Sequence, residues 1–198
     1  SGTAEAVKAV FEKLFQRYGM PRVIRSDNGV PFAVNCSPLG LTRLSAWWVY
    51  LGIRPDRTDP GSPTQNGSHE RMHADLSREI QGKIAGGVAA NQRAIDAWVE
   101  EYNFVRPHES IVMTPSEVYT KSDMLYEGTP DTIEYPIGFE TRKINKHGYV
   151  KINKTLIQVS TALRGLTVGL QAQGEREFVL WLGDYPLGIV STETFSFS

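Results

Sequence analysis

The chain has 198 residues, 40% of them hydrophobic and 22% charged, with a formal net charge of −1 and a single cysteine. This composition predicts a globular protein and excludes a disordered chain or an internal disulfide; without a long apolar stretch, we expect a cytoplasmic protein with no membrane segment. The near-zero net charge argues mildly against a nucleic-acid partner, so the distribution of charge matters more than its sum.

The sequence pattern in the first part of the chain predicts alternating helices and strands. Apolar residues at helical spacing over 7–18 predict a helix, and residues 21–26 predict a short strand. The strand is closed by Asp27-Asn28-Gly29, whose residues favour a tight turn, so the aspartate lies at the carboxyl end of the strand. Residues 41–51 predict a second helix, with an apolar stripe of Leu44, Trp47, Trp48 and Leu51, and a short extended segment begins at Ile53.

The middle of the chain predicts helices separated by loops. Proline and glycine exclude a helix over 59–68, after which apolar residues four positions apart predict a helix over 69–84. Glu70 falls in the first turn of that helix. Another helix is predicted over 91–104, and a capping box with proline at the first helical position predicts a short helix that begins at Thr114-Pro115.

Beyond residue 120 the helical spacing disappears. Glycine and proline mark a linker over 121–135, and short β-branched or alternating segments follow it. Five short strands separated by turns predict a small SH3-like β-barrel domain over 136–198. The predicted strands are 149–152, 156–159, 166–170, 178–182 and 187–190.

Two acidic residues, Asp27 and Glu70, are placed where they could bind metal ions. The first ends a strand and the second begins a helix, and rigid elements of this kind can present carboxylates to a hard cation such as Mg²⁺. Two divalent cations can activate one oxygen and stabilise another at a phosphodiester. A favourable turn and a helix dipole explain the same two acids, so the residue pattern alone leaves both interpretations open.

A run of basic residues without an acid lies in the predicted barrel. Such a run could follow a phosphate backbone or form the solvated face of a small sheet, and charge alone favours neither interpretation. The run, here called the basic stripe, consists of Arg142, Lys143, Lys146, Lys151 and Lys154.

Several motifs occur in a fixed order along the chain. They are Arg25-Ser26-Asp27-Asn28-Gly29-Val30-Pro31-Phe32, Leu51-Gly52-Ile53, Pro60-Gly61-Ser62-Pro63-Thr64-Gln65-Asn66-Gly67-Ser68-His69-Glu70-Arg71-Met72-His73, Tyr102-Asn103 and Arg106-Pro107-His108-Glu109. This ordered set strongly resembles the integrase-core (DDE, retroviral-integrase-like) transposases of bacterial insertion sequences. The resemblance covers roughly residues 5–120, and the tail from Tyr135 looks like the small β-barrel that follows the core in one branch of the family.

The resemblance implies a ribonuclease-H-like integrase core over residues 1–120, with Asp27 and Glu70 as the second and third acidic ligands of Mg²⁺ or Mn²⁺. It also implies metal-dependent DNA cleavage and strand transfer, DNA as the partner, and a homo-oligomer. In the family the first aspartate lies on a strand upstream of the helix with which this chain opens, and no residue here matches it. We therefore expect a partial core that lacks its first strands and is catalytically incomplete.

Side chains around Glu70 are candidates for DNA contacts. Gln65 and Asn66, in the loop before it, can donate hydrogen bonds to phosphates or base edges. Arg71 can do the same, although it suits a structural ion pair equally well.

The sequence pattern around the histidines does not favour a zinc site. His69 and His73 have the i,i+4 spacing of zinc ligands, but no third nitrogen or sulfur ligand lies near them in the sequence. His108, in an Arg-Pro-His turn, could orient a group at the site, but a histidine in such a turn more often forms a structural hydrogen bond.

Two other functions stay open at this point. The chain could be a non-catalytic DNA-binding or transpososome-assembly module that acts through its surfaces. A self-contained ribonuclease-H-like nuclease fits less well, because it would need the same acid that has no match here.

Overall fold

The computed structural model describes residues 2–26, 28–34, 37–58, 67–81, 87–108 and 111–198. These residues combine helices with parallel and antiparallel strands, so the predicted mixed α/β class is confirmed. The chain divides into two compact units: the first unit consists of Ser1–Thr58 and Ser122–Ser198, and the second unit of Asp59–Lys121. The first unit therefore joins the beginning of the chain to its end.

The opening part of the first unit has the predicted order of helix, strand, helix, strand. It contains helix α1 (Gly2–Tyr18), strand β1 (Val23–Ser26), helix α2 (Arg43–Tyr50) and strand β2 (Arg54–Arg57). The two strands pair in parallel, with Val23 opposite Arg54 and Ser26 opposite Arg57. Because parallel strands run in the same direction, their carboxyl ends lie at one edge of this small sheet.

Helix α2 is the central element of the first unit. Its first turn is closed by a capping box, in which Thr42 N donates to Ser45 Oγ over 2.9 Å and Ser45 N donates to Thr42 Oγ1 over 3.2 Å. All side chains from Leu44 to Tyr50 are buried. A helix that is buried around its circumference must be covered on opposite faces, and two cores cover this one.

One core packs the first face of α2 against α1 and β1. The fully buried Trp48 meets Phe11 edge-on at a ring-centroid distance of 5.0 Å and stacks on Phe32 at 5.8 Å. Phe15 stacks on Trp47 at 5.7 Å. The predicted apolar stripe of the second helix is thus confirmed as a core face. The buried members of this aromatic core are Phe15, Leu44, Trp47, Trp48 and Ile53.

The C-terminal part of the first unit consists of two antiparallel sheets. One has five strands in the order β3-β6-β7-β8-β9, and the other is the hairpin β4-β5. All five predicted strands are present, whereas β3 and β9 are additions that the sequence did not predict. The strands are β3 (Glu140–Lys143), β4 (Tyr149–Ile152), β5 (Thr155–Gln158), β6 (Thr167–Ala172), β7 (Glu177–Leu182), β8 (Tyr185–Ser191) and β9 (Ser196–Phe197).

The predicted SH3-like barrel is not confirmed, because the hydrogen-bonded ladder does not close. Within the described residues, β4 and β5 pair only with each other, and β3 and β9 each have one neighbour. A turn connects β3 to β4, and a short 3₁₀ helix (Thr161–Leu163) lies between β5 and β6. No strand pairing therefore joins the hairpin β4-β5 to the five-stranded sheet among the described residues. The structure confirms an antiparallel sheet in place of a closed barrel.

The second face of α2 belongs to the core between these sheets. Ala46, Val49 and Tyr50 pack with buried side chains from both sheets, including Ile157 from the hairpin and Leu180 from β7. Strand residues that point inward alternate with exposed ones along β4 and β5, as expected for sheets with one solvated face. One continuous core therefore joins α2 to the C-terminal strands.

The segment predicted as a linker, residues 121–135, lies against the first unit. The Trp47 indole N–H donates to Thr129 Oγ1 over 2.8 Å, and the Tyr50 hydroxyl donates to the backbone oxygen of Asp131 over 3.2 Å. The predicted domain boundaries at residues 120 and 136 stay a prediction, but residues on both sides of them contribute to the same core.

The second unit contains three helices. They are α3 (Gly67–Ile80), α4 (Val88–Phe104) and α5 (Pro115–Val118), and each corresponds to a predicted helix. The exclusion of a helix over 59–68 is wrong at its end, because α3 begins at Gly67, and glycine is tolerated at a helix N-terminus. The capping box predicted at α5 is formed, with Thr114 N donating to Glu117 Oε2 over 2.7 Å. The backbone hydrogen bond and the hydroxyl of Thr114 lower the pKa of Glu117.

The length and polarity of the helices bear on membrane insertion. Over the described ranges, none of them is both long enough and apolar enough to span a bilayer.

Candidate functional site

The first predicted ligand, Asp27, lies outside the described residues, but the chain on both sides of it is described. Asn28 Nδ2 donates to the backbone oxygen of Thr58 over 2.8 Å, and Thr58 N donates to Ser26 O over 3.2 Å. These contacts tie the residues that flank Asp27 to the residue that follows β2. Beside them, Arg25 forms an ion pair with Asp56 at 2.8 Å. The asparagine of the Ser-Asp-Asn-Gly motif therefore holds two strand ends together.

The second predicted ligand, Glu70, lies in the first turn of α3. Its side chain is exposed, and the half-buried or buried residues of α3 lie on a different face of the helix, at Met72, Asp75, Leu76, Glu79 and Ile80. Among the described residues, Glu70 has no ion-pair partner. An exposed carboxylate near a helix N-terminus is chemically suited to a hard cation, because it offers oxygen donors and open coordination positions.

A complete metal site is not present within the described ranges. No three His, Cys, Asp or Glu side chains from these ranges come together as a group that could hold an ion. Gln65 and Asn66 also lie outside the described residues. The assignment of Asp27 and Glu70 as metal ligands therefore stays a prediction.

Glu79 anchors the buried side of α3 to the rest of the second unit. Arg106 binds it with two hydrogen bonds, Nη1 to Oε1 at 2.9 Å and Nη2 to Oε2 at 2.8 Å, and the Trp98 indole N–H donates to Oε2 at 2.9 Å. The hydrogen bonds from Arg106, together with the bond from Trp98 and the nearby positive charges, lower the pKa of Glu79 to about 2. A bidentate guanidinium fixes orientation as well as distance, so α3 is held in one rotation about its axis.

Acidification should weaken the second unit more in the wild-type chain than in a Glu79→Gln variant. Because the folded-state pKa of Glu79 is about 2 and its ordinary value is 4.5, its contribution is complete above pH 4.5 and is lost as the pH falls toward 2. Hydrogen-exchange protection of the α3 amides, measured at several pH values, should be higher in the wild type at pH 5 and converge with the variant near pH 2. The same pH dependence in both chains would contradict this role.

The Arg-Pro-His motif proves to be structural. His108 packs against Tyr102 at a ring-centroid distance of 4.3 Å, and its Nε2 lies 3.3 Å from the Tyr102 backbone oxygen. The Tyr102 ring in turn stacks on Trp98 at 4.7 Å. The predicted structural hydrogen bond of His108 is thus confirmed, and Arg106 and His108 hold the end of α4 in place.

The other predicted residues of α3 are exposed. His69 and His73 face each other with Nε2 atoms 3.1 Å apart, and no third ligand joins them among the described side chains. Arg71 interacts electrostatically with Tyr102: burial raises the pKa of the Tyr102 phenol, Asp75 adds to this rise, and Arg106 and Arg71 oppose it. Arg71 therefore already interacts within the second unit, and its predicted DNA contact stays a prediction.

The basic stripe is spread over β3, β4 and the two turns that follow them. Arg142 is partly neutralised by an ion pair with Glu140 on the same strand. The four lysines of the stripe, Lys143, Lys146, Lys151 and Lys154, are all exposed. Two of them, Lys143 and Lys146, line a cavity of about 520 Å³ together with Arg43 and Arg164. Sequence analysis missed these two arginines, because nothing in their local sequence relates them to the stripe.

One segment of the chain matches the model of a known protein family. Residues 51–115 match the integrase core domain family, and this segment contains Glu70 and the Glu79–Arg106 pair. This match confirms the family identification made from the motifs, over residues 51–115.

The relatives of the chain are proteins of bacterial insertion elements. It is 32% identical over 98 residues to an uncharacterized 39.2 kDa protein of insertion element IS476 from Xanthomonas euvesicatoria, covering 49% of this chain and 26% of that protein. It is 30% identical over 114 residues to an uncharacterized protein of insertion element IS136 from Agrobacterium fabrum, covering 56% of this chain and 55% of that protein. The matched regions therefore span about a quarter of one relative and about half of the other.

Among solved structures, the catalytic core domain of BIV integrase is similar. Its sequence is 30% identical, the likeness covers 60% of this chain and 72% of that chain, and the TM-score is 0.42.

Proposed function

We propose that this chain is part of a DNA transposase that cleaves DNA and transfers strands with the help of divalent metal ions. The observation that carries the proposal is the placement of Glu70: it is an exposed carboxylate at the start of α3, within the residues that match the integrase core. The face of α3 that packs inward is fixed by Glu79 and Arg106. Glu70 is thereby presented on a rigid element, which precise phosphodiester chemistry requires.

Asp27 is the second ligand in this proposal. It follows directly after β1, whose end is tied to the end of β2 through Asn28 and Thr58. The two carboxylates would hold Mg²⁺ or Mn²⁺, and the ions would activate the attacking oxygen and stabilise the leaving oxygen at a phosphodiester. Asp27 and Glu70 themselves supply only oxygen donors, which suits hard cations rather than zinc.

The proposal includes a fold and partners. Supported by the match to the integrase core, we assign residues 1–120 to a ribonuclease-H-like core with a basic C-terminal part that contacts DNA, in a homo-oligomer. The non-catalytic alternative, a DNA-binding or assembly module, is not favoured, because the matched segment is the integrase core itself.

A double-mutant cycle with Mn²⁺ tests whether the two carboxylates share metal ions. At Mn²⁺ concentrations a hundredfold above the dissociation constant, binding should stabilise the wild-type chain by about 2.7 kcal/mol. Asp27→Asn and Glu70→Gln should each remove most of this stabilisation, and the double variant should lose little more, because residues in one site are not additive. Thermal denaturation with and without Mn²⁺ measures all four chains.

The matched control is Glu127→Gln, which removes one exposed carboxylate elsewhere in the chain. This variant should keep the full response to Mn²⁺. Additive losses of the Mn²⁺ stabilisation would mean that Asp27 and Glu70 bind metal separately. An unchanged Mn²⁺ stabilisation in both single variants would show that neither residue is a ligand. Either result would overturn the proposed site.

A further inference from the structure

We propose that Arg43, Lys143, Lys146 and Arg164 form a binding cleft for backbone phosphates of DNA, here called the basic cleft. The inference rests on the proposed function, since it specifies where the transposase would contact its DNA. It goes beyond the basic stripe, because two of its four cations come from other parts of the chain. The cleft belongs entirely to the first unit.

The composition of the basic cleft favours an anion. Its cavity measures about 520 Å³ and is lined by four cationic side chains, with Ile144, Asn145 and Gly165 completing the wall. None of the described acidic residues lines it. The cleft is shallow and open to solvent, and it presents no element that could enter a groove of DNA, so it would contact the protruding sugar-phosphate backbone rather than the base edges.

The four cations are carried by backbone that is held in place. Ile144 is 1% exposed, and its backbone exchanges two hydrogen bonds of 2.9 Å with the segment after Arg164: Ile144 N donates to Leu166 O, and Gly165 N donates to Ile144 O. Lys143 and Lys146 flank this anchored residue. The positions of three cations in the cleft are therefore linked by direct backbone contacts.

The remaining contacts fix the turn and the helix. Asn145 Oδ1 accepts from His147 N at 2.9 Å and from Tyr149 N at 3.1 Å, which closes the turn that carries Lys146. Arg43 is the first residue of α2, directly after the capping residue Thr42. A phosphate that enters the cleft would thus meet cations on preorganised backbone, which reduces the entropy lost on binding.

The charges of the basic cleft also favour the binding of an anion. Within the part of the chain that the structure describes, none of the four side chains forms an ion pair, whereas the neighbouring Arg142 is paired with Glu140. Four like charges around one cavity repel each other, and an anion in the cavity would relieve that repulsion. All four side chains are exposed, so salt screens this repulsion, and an anion that binds here would gain most at low ionic strength.

The test uses the two arginines, because they belong to the cleft and not to the stripe. Fluorescence anisotropy with a labelled duplex of arbitrary sequence would be measured over a range of NaCl concentrations. The Arg43→Gln/Arg164→Gln variant should bind at least about tenfold more weakly at low salt, and its salt slope should fall by about 0.9 for each phosphate that the variant no longer neutralises. A second duplex of unrelated sequence should give the same losses.

Two control variants separate the cleft from general charge effects. Lys13→Gln/Lys121→Gln removes the same charge from exposed sites away from the cavity and should change binding little. Lys151→Gln/Lys154→Gln removes charge from the stripe alone. If the arginine variant binds DNA as the wild type does while the stripe variant is weakened, the cleft proposal fails and the proposed DNA contact stands. If the wild type shows no salt-dependent binding, both fail.

A titration with inorganic phosphate identifies the source of the phosphate group. Phosphate and chloride at equal ionic strength would be compared for their effect on Tm. We expect the arginine variant to bind DNA more weakly than the wild type does. Phosphate should raise the Tm of the wild type only slightly more than chloride does. If phosphate instead raises the Tm of the wild type but not of the arginine variant, and DNA binding is the same in both, the cleft takes a small free anion and the DNA assignment is overturned.

Discussion

A Trp48→Ala variant should lose about 3–5 kcal/mol of the free energy of unfolding of the first unit. Trp48 is fully buried and lies between Phe11 and Phe32, at ring-centroid distances of 5.0 and 5.8 Å. Removal of the indole leaves a cavity that these rings cannot fill without moving α1. Urea denaturation, followed by near-ultraviolet circular dichroism, would report the loss as a lower midpoint.

Trp48→Phe is the matched control for this prediction. The indole N–H of Trp48 is buried and has no hydrogen-bond acceptor among the residues that the structure describes, so phenylalanine removes an unsatisfied donor while it keeps an aromatic ring. We expect a loss below about 2 kcal/mol. Equal losses for alanine and phenylalanine would contradict the prediction, because a retained aromatic ring would then restore none of the packing.

A Gly148→Ala variant should destabilise the first unit by about 3 kcal/mol. Gly148 has a φ of +83°, and an added Cβ would lie 2.5 Å from Ser160 C and 2.6 Å from Thr161 N. These neighbours are backbone atoms, so they cannot rotate away. Because the same turn carries Lys146, the substitution should also weaken phosphate binding in the basic cleft. Denaturation and anisotropy measurements on one preparation would check both effects.

Gly165→Ala separates the two causes of that loss. Gly165 has a similar φ of +81°, but an added Cβ would meet no atom within 4 Å. The substitution should therefore cost only the backbone strain, about 1–2 kcal/mol. If both variants are destabilised by the same amount, the contact with Ser160 and Thr161 has no energetic weight.

Helical periodicity predicted most of the elements that form the two units. The stripe containing Leu44, Trp47 and Trp48 correctly identified α2 and one of its buried faces. The second face, with Ala46, Val49 and Tyr50, has a signal in the sequence as well, since residues 44–50 contain no charged side chain. A helix that is apolar around its circumference is expected to be buried on both sides, whereas a search for one apolar stripe finds only the first of them.

Elements defined by long-range pairing could not be predicted in the same way. Strand β3 consists of Glu140, Thr141, Arg142 and Lys143, which have no apolar alternation, and it is a strand because it pairs with β6. The Glu79–Arg106 pair likewise joins residues 27 positions apart. The basic cleft depends on Arg43 and Arg164, which only the packing of the C-terminal sheets on α2 brings together.

The burial of α2 on both faces has a consequence for how this polypeptide can be divided. A gene fragment that stops near residue 135 would leave Ala46, Val49 and Tyr50 exposed to water, and a fragment that begins there would lack the helix that fills its interior. Neither piece would be expected to stay monomeric and soluble by itself. The C-terminal strands are thus a required part of the core around α2 rather than an exchangeable accessory module.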